Sequence, residues 1–340
     1  MASRRVNPRS IANPPAALPT AAVGTEFRSH HLQLPPESAG LRFDQALARC
    51  LPQYSRARIR DWIDSGQVQV DGRPLRAKDK VLGREQVQLE ARLPVQTAGI
   101  AAEHMPLEVV HQDRALLVIN KPAGLVVHPG AGNTAHTLQN ALLGLDPALA
   151  LVPRAGLVHR LDKDTSGLLV VARTPEAHTA LVAAMAAREI TREYLALCTG
   201  VVTAGATIDE PIGRHRTQRT RMAVRTDGRP AVTHYRVLQR FRGHTLLRVQ
   251  LETGRTHQIR VHLAHAGFPV VGDPVYGGRR RLLADSTPQL AQQLRGFTRQ
   301  ALHAARLKLK HPTSGRELVF EAPVPQDLQH LVDALQADHA

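Results

Sequence analysis

Five charged or ionisable residues stand together immediately before an apolar segment of the chain. In GLVHRLDKDTSGLLVVAR, Gly156 to Arg173, the cluster His159–Asp164 precedes the apolar run Leu168–Ala172. Such a run is typical of a strand buried on both faces. Charged groups next to a core must be solvated, paired or chemically active. Asp162 is therefore a candidate catalytic carboxylate at the mouth of a cleft, although an Asp in a turn more often accepts backbone N–H bonds.

Three further polar residues stand at the ends of predicted strands. Arg255, in LETGRTHQIRVHL, follows a predicted strand through a Gly turn, and Tyr194, in REYLAL, begins another. Lys121, in VINKPAG, closes a third apolar strand. Ligand sites in open sheets are commonly assembled at strand ends. These residue types and positions make all three candidates for the same site as Asp162.

Several familiar catalytic signatures are excluded by the sequence. It contains no Walker A pattern, no H-E-x-x-H and no G-x-S-x-G, and HPGAGNTAH lacks the later acidic residue of a dinucleotide site. Cys50 and Cys198 each lie in an apolar pattern, which predicts buried thiols and neither a disulfide framework nor a zinc site. We therefore predict no metal, no cofactor and a reducing compartment.

The composition points to a polyanionic partner. The chain has 340 residues, 44 Lys and Arg against 29 Asp and Glu, and a formal net charge of +15. Basicity of this size most commonly serves nucleic acid. No apolar run of about 18 residues and no secretory h-region occurs, which argues against a membrane or secreted protein. We expect a cytoplasmic monomer that binds nucleic acid.

The elements before residue 93 predict a small folded unit. Phe43, Leu47 and Cys50 form an apolar helical stripe, and a second helix has Ser55 as its N-cap and Gly66 as its stop. An alternating segment then turns at Asp71-Gly72, a hairpin signal. We assign residues 1–40 to a disordered basic tail, 41–92 to this unit and 93–106 to a linker.

Arginines on the second helix face away from its apolar stripe. They are Arg56, Arg58 and Arg60. A solvated helix face is the default for such charges. In a chain this basic, contact with phosphates is at least as plausible a role.

Residues 107–340 predict one large α+β domain. Its predicted strands include Ala115–Ile119, Leu168–Ala172, Tyr194–Cys198 and Leu246–Leu251, and its predicted helices include Ala177–Arg188 and His257–Ala266. Two clusters of arginine interrupt it and predict basic loops, namely Arg214, Arg216, Arg219 and Arg221, and then Arg279 to Arg281.

The segments NKPAGLVVHPG, HRLDKDTSGLLVVAR, REYLAL and LETGRTHQIRVHLAHAGFPVVGDPVYG closely resemble RluA-family pseudouridine synthases. The resemblance runs from about Leu41 to Pro325, and the small unit resembles an S4 RNA-binding domain. HPGAGNTAHTLQNALL, DEPIGRH, RPAVTHYRVL and RQALHAARLKLKHPTSG are most similar to the D-type branch, which acts on large-subunit rRNA. The resemblance implies an α+β fold, with an S4-like domain ahead of a catalytic domain built on a mixed, mainly antiparallel sheet.

The resemblance also implies an activity and a set of roles. Uridine is isomerised to pseudouridine by breaking N1–C1′, rotating the base and rejoining it through C5, without a cofactor. Asp162 matches the catalytic carboxylate, Arg255 its basic partner and Tyr194 the active-site tyrosine. Arg160 would fill the gap left by the flipped base, and Lys121 would join the arginines named above in binding RNA. Whether Asp162 attacks the sugar, adds to the base or removes the 2′ proton stays open.

The resemblance favours one RNA substrate, with two alternatives. The favoured substrate is the helix-69 stem–loop of 23S rRNA, with more than one uridine modified. A sibling enzyme acting on other 23S rRNA sites (C-type) or on tRNA is the first alternative. A non-catalytic rRNA-binding assembly factor is the second; it would require none of Asp162, Arg255 and Tyr194 at strand ends.

Overall fold

The computed structural model describes residues 26–52, 54, 56–93, 99–130, 132–218, 220–278 and 285–338. The N-terminal unit is a three-stranded antiparallel sheet, in the order β1-β3-β2, packed against two helices. Its elements are β1 (Glu26–Gln33), α1 (Phe43–Cys50), α2 (Arg56–Asp64), β2 (Val68–Val70) and β3 (Gln86–Leu93). Phe43, Leu47 and Ile59 are fully buried in its core, as the predicted helical stripes require.

Strand β1 corrects the predicted N-terminal boundary. It pairs with β3 along its whole length, from Glu26 opposite Leu93 to Gln33 opposite Gln86. The predicted disordered tail therefore cannot extend to residue 40, and residues 1–25 lie outside the described residues. The sequence hid this strand because an edge strand with one solvated face needs few apolar residues.

The predicted turn at Asp71-Gly72 is confirmed. Both residues have positive φ, 48° and 76°, as a two-residue type I′ turn requires. The returning arm is a single bridge between Val70 and Arg73, and β2 pairs instead with β3. α2 ends at Asp64, before Gly66, whereas the predicted N-cap Ser55 lies outside the described residues.

The large second domain is built on a mixed sheet of nine of the described strands. Its strands are β4 (Glu108–Gln112), β5 (Leu116–Lys121), β6 (Ser166–Ala172), β7 (Thr191–Thr199), β8 (Ala206–Asp209), β11 (Val232–Arg240), β12 (His244–Leu251), β13 (Leu302–Lys310) and β14 (Glu317–Glu321), with β9 (Ile212–Arg214) and β10 (Met222–Val224) forming a separate hairpin. The spatial order is β4-β5-β6-β13-β7-β12-β11-β8, with β14 paired to β13. Only the β6–β13 pair is parallel among these described pairs, which confirms the mixed, mainly antiparallel sheet.

Five helices complete this domain among the described residues. They are α3 (Leu138–Leu145), α4 (Pro175–Ala186), α5 (Gln258–His265), α6 (Pro288–Gly296) and α7 (Gln326–Ala337). The predicted strands and helices are therefore present, with ends that differ by at most three residues. No helix in the described ranges is long and apolar enough to cross a bilayer.

Strand β13 joins β6 and β7 at the centre of the sheet. Ala304 lies opposite Gly167 of β6 on one side and opposite Tyr194 of β7 on the other. Gly167 has a φ of 113°, and a Cβ on it would stand 2.3 Å from the Ala304 carbonyl oxygen. Only glycine permits this approach. The beginning of β6, just after Asp162, is thereby fixed next to Tyr194.

Candidate active site

A cleft of about 880 Å³ opens at the loop that precedes β6. Asp162, Tyr194, Arg160 and Arg255 all line it, so the structure brings four of the sequence candidates together. The loop turns at Asp162, whose carbonyl oxygen accepts the Thr165 N–H, and β6 begins at the next residue. A buried strand therefore fixes the position of the carboxylate.

Asp162 is held by Arg260 of helix α5. Arg260 Nη1 donates to Asp162 Oδ2 at 3.0 Å, while its Nε and Nη2 donate to Asp273 at 2.6 and 2.9 Å. Burial raises the pKa of the Asp273 carboxyl, but hydrogen bonds from Arg260 and from two backbone N–H groups outweigh it and lower that pKa. Arg260 is 4% exposed, and its guanidinium joins the buried carboxylate of Asp273 to the Asp162 carboxylate that lines the cleft.

This pairing corrects the prediction for Arg255. Arg255 makes no hydrogen bond to Asp162, because its Nε donates to the carbonyl of Pro230 at 3.1 Å. Its backbone N–H donates to the Gln258 side chain in the turn before α5, and its half-buried side chain lines the cleft. Arg260 is more than a turn further along and shares the buried helix face with Leu263. An arginine on an apolar stripe must be paired, and that signal could have identified it.

Tyr194 lies on β7 with its ring in the wall of the cleft. It is 5% exposed, and its hydroxyl makes no hydrogen bond to a described residue. Burial raises the pKa of the phenol, so the group stays protonated at neutral pH. A buried ring beside Asp162 can stack on a planar base, and its free hydroxyl can bond to that base.

His257 and Tyr276 form a second contact to the carboxylate that the sequence analysis did not assign. The Met222 N–H donates to the Tyr276 hydroxyl, which lies 2.9 Å from His257 Nδ1. Burial lowers the pKa of His257, which favours a neutral ring with a single proton on Nδ1 or Nε2. That Nε2 lies 4.0 Å from Asp162 Oδ1. The guanidinium groups of Arg221 and Arg260 also lie over the Tyr276 ring, 5.3 and 5.1 Å from its centroid.

The structure contradicts the predicted contact of Lys121 with RNA. Its side chain is fully buried, and Nζ donates to the carbonyl oxygens of Pro122, Leu125 and Lys163 at 2.7–2.9 Å. Burial lowers the pKa of this amine to about 7. Lys121 therefore ties the end of β5 to the loop that carries Asp162. The sequence could not show this, because the three carbonyl groups come from two separate segments.

The predicted RNA-binding arginines differ in their accessibility. Arg160 is exposed at the cleft and has no hydrogen bond or ion pair to a described residue. Arg214 and Arg216 are exposed, Arg221 is half-buried, and Arg219 lies outside the described residues, as do Arg279, Arg280 and Arg281. On α2, Arg56 pairs with Asp44 at 2.9 Å, Arg60 with Asp64 at 3.6 Å, and Arg58 is half-buried.

Known proteins share both parts of this architecture. Residues 115–265 match the family model of RNA pseudouridylate synthase, and residues 41–87 match the S4 domain. Ribosomal large subunit pseudouridine synthase D of Xanthomonas campestris pv. campestris is 55% identical over 307 residues, which cover 90% of this chain and 92% of that protein. The protein of the same name from Escherichia coli strain K12 is 54% identical over 300 residues, covering 88% and 92%.

A solved structure supports the same relationship. Human RNA Pseudouridylate Synthase Domain Containing 4 is similar with a TM-score of 0.54 and 28% identity, covering 67% of this chain and 92% of that one. The described residues hold no group of three or more metal-ligating side chains. Identity of 55% across nine-tenths of the chain establishes the relationship. The chain belongs to the RNA pseudouridylate synthase family and is a pseudouridine synthase with an N-terminal S4 domain.

Proposed function

We propose that this enzyme converts uridines of the helix-69 stem–loop of 23S rRNA to pseudouridine. The observation that carries the proposal is the 54–55% identity, over about nine-tenths of the chain, to proteins named ribosomal large subunit pseudouridine synthase D. The D-type segments noted in the sequence support the same substrate. The basic charge of the chain and its S4 domain suit a folded RNA.

We propose separate roles for Asp162 and for two of the residues near it in the cleft. The N1–C1′ bond breaks with its electron pair passing to the uracil, the base rotates, and C5 bonds to C1′. C5 then releases its proton to a base and N1 gains a proton, so the product is an isomer of the substrate. We propose that Asp162 acts on the sugar or the base in the cleavage step, as carboxylates do in other glycosidic chemistry. Arg260 orients that carboxylate, and Tyr194 stacks on the uracil.

The uridine must leave the RNA stack to reach this cleft, at a cost of a few kcal/mol. We assign Arg160 to the space that the flipped base vacates, because it is exposed at the cleft and unpaired among the described residues. We assign phosphate contacts to the arginines of α2 and of the 214–221 loop. These are Arg56, Arg58, Arg60, Arg214, Arg216, Arg219 and Arg221.

The experiment is a map of pseudouridines in the rRNA and tRNA of a deletion strain, complemented with either wild type or Asp162→Asn. The proposal requires that helix-69 pseudouridines disappear and return only with wild type. Loss at other 23S rRNA sites or in tRNA would establish a sibling specificity instead. Restoration by Asp162→Asn, or turnover of the purified variant within about tenfold of wild type, would reject the catalytic role of Asp162 and favour the assembly-factor reading.

A further inference from the structure

Arg192 carries a buried guanidinium that no described residue neutralises. Its side chain lines the catalytic cleft, the residue is only 7% exposed, and it makes no hydrogen bond or ion pair to the described part of the chain. Its Nε is fully buried without an acceptor. By contrast, Arg188 and Arg260, which line the same cleft, pair with Glu252 and Asp162. A buried charge without a partner is costly, so its retention calls for a ligand.

The strand places Arg192 on the same face as Tyr194. Residues two apart on a strand project to one side of the sheet, and both of these are buried against the cleft. Glu193, between them, projects to the opposite side, where it pairs with Arg306. A Cβ on Gly254 would lie 3.0 Å from Arg192 Nη1, so the glycine turn before Arg255 packs directly on the guanidinium.

His159 supplies a second unpaired donor in the same cleft. Its Nε2 accepts the Val170 N–H at 3.1 Å, which places the ring proton on Nδ1. That Nδ1 is buried and has no acceptor among the described residues. Burial and the charge of Arg192 lower the pKa of His159 to about 3, so the ring keeps this neutral form. Both groups can only donate, and their ligand must therefore be an acceptor.

We propose that Arg192 is a substrate-binding residue that donates to an oxygen of the flipped uridine nucleotide, with His159 beside it. Two groups of that nucleotide carry acceptor oxygens with the required chemistry: the carbonyl groups of the uracil and the adjoining phosphate. The shared face with Tyr194 favours the uracil. When N1–C1′ breaks, its electron pair spreads onto the uracil oxygens, where a preorganised cation stabilises it. The inference rests on the uridine chemistry of the proposed function.

The first experiment compares stability with turnover for Arg192→Met. Removing an unpaired buried charge should raise the melting temperature of the RNA-free enzyme, while kcat/KM falls by about 10- to 100-fold because a charged hydrogen bond is lost. The control is Arg248→Met, on the opposite face of the sheet, which should change turnover by less than about twofold. A lower melting temperature or unchanged turnover would overturn the proposal. Replacing an arginine that serves only the fold would lower the melting temperature.

The second experiment identifies the oxygen. In an Asp162→Asn background, Arg192→Met is titrated with an RNA fragment that wild type converts and with the same RNA carrying an abasic ribose at the target. An affinity loss confined to the uridine-containing RNA assigns the uracil oxygen, and equal losses on both assign the phosphate. No loss on either rejects the contact. If wild type converts only tRNA, the proposed rRNA substrate is wrong, but the role of Arg192 is still tested. The same titration is then made with that tRNA.

Discussion

Asp162 and Arg260 are 98 residues apart in the chain, yet Oδ2 of the first lies 3.0 Å from Nη1 of the second. The same guanidinium is fixed by two hydrogen bonds to buried Asp273. The orientation of the cleft carboxylate is therefore set by a helix and a buried ion pair, and not by its own loop alone. This network gives the cleft a rigid reference point before RNA binds.

Replacing Arg260 should damage both stability and turnover, unlike replacing Arg255. Arg260→Met leaves the buried Asp273 carboxylate without its counter-ion, which should lower the free energy of unfolding by about 3–5 kcal/mol. Arg255→Met removes only one side-chain hydrogen bond from a half-buried residue and should change the free energy of unfolding by less than about 1 kcal/mol. Urea denaturation and single-turnover rates measure both effects. Equal unfolding energies for the two variants would contradict the assignment of Arg260.

Arg160→Ala should impair a structured RNA more than an unpaired one. If the guanidinium fills the space of the flipped uridine, its loss removes compensation for an unstacking cost of a few kcal/mol. A short unpaired RNA already exposes its uridine and should lose less. Single-turnover rates on a stem–loop and on a short linear RNA test this, with Asp162→Asn as the control that silences both. Equal losses for Arg160→Ala would show that it supports the loop or contacts phosphate.

Lys121→Met should act through the fold and not through RNA charge. Three buried carbonyl oxygens lose their donor, and we expect the free energy of unfolding to fall by about 2–4 kcal/mol. The dependence of RNA affinity on salt should stay unchanged, because no phosphate contact is removed.

Arg60→Ala is the matched control for that measurement. This exposed arginine should leave stability nearly unchanged and reduce the log–log salt slope by about 0.7–0.9 if it neutralises one phosphate. A slope that falls in Lys121→Met would restore its direct role in RNA binding. A slope that stays constant in Arg60→Ala would remove that residue from the interface.

His303 should make the fold sensitive to acid. Burial lowers its pKa to about 4, against 6.5 for the ordinary side chain, so the unfolded chain binds more protons between these values. Stability must then fall as the pH falls through that window. Between pH 7 and pH 5, the titration of His303 should lower the free energy of unfolding by about 2 kcal/mol. In His303→Gln, the change in the free energy of unfolding between pH 7 and pH 5 should be smaller by that amount, as measured by denaturation at the two pH values. An equal pH difference in both proteins would contradict the buried neutral histidine.

The sequence predicted the position of Asp162 and Tyr194 because apolar runs mark the strands that hold them. It did not distinguish Arg255 from Arg260, since both lie in one motif and the rotation of α5 decides which faces the carboxylate. The prediction that Lys121 binds RNA was wrong, because the burial of this lysine depends on carbonyl groups that only the fold brings together. The partners of Arg260 and Lys121 are distant in the chain, and a local sequence pattern does not reveal such contacts.

The central place of β13 has a consequence for the timing of activity during synthesis. Residues 302–310 separate β6 from β7, so the strands beside Asp162 and Tyr194 do not pair with each other directly. Until the ribosome has released those residues, the nascent chain lacks the strand that holds the two halves of the cleft together. Contacts of such high sequence separation also form slowly. The S4 domain, complete by residue 93, can fold first. A growing chain therefore acquires an RNA-binding module long before it acquires a catalyst.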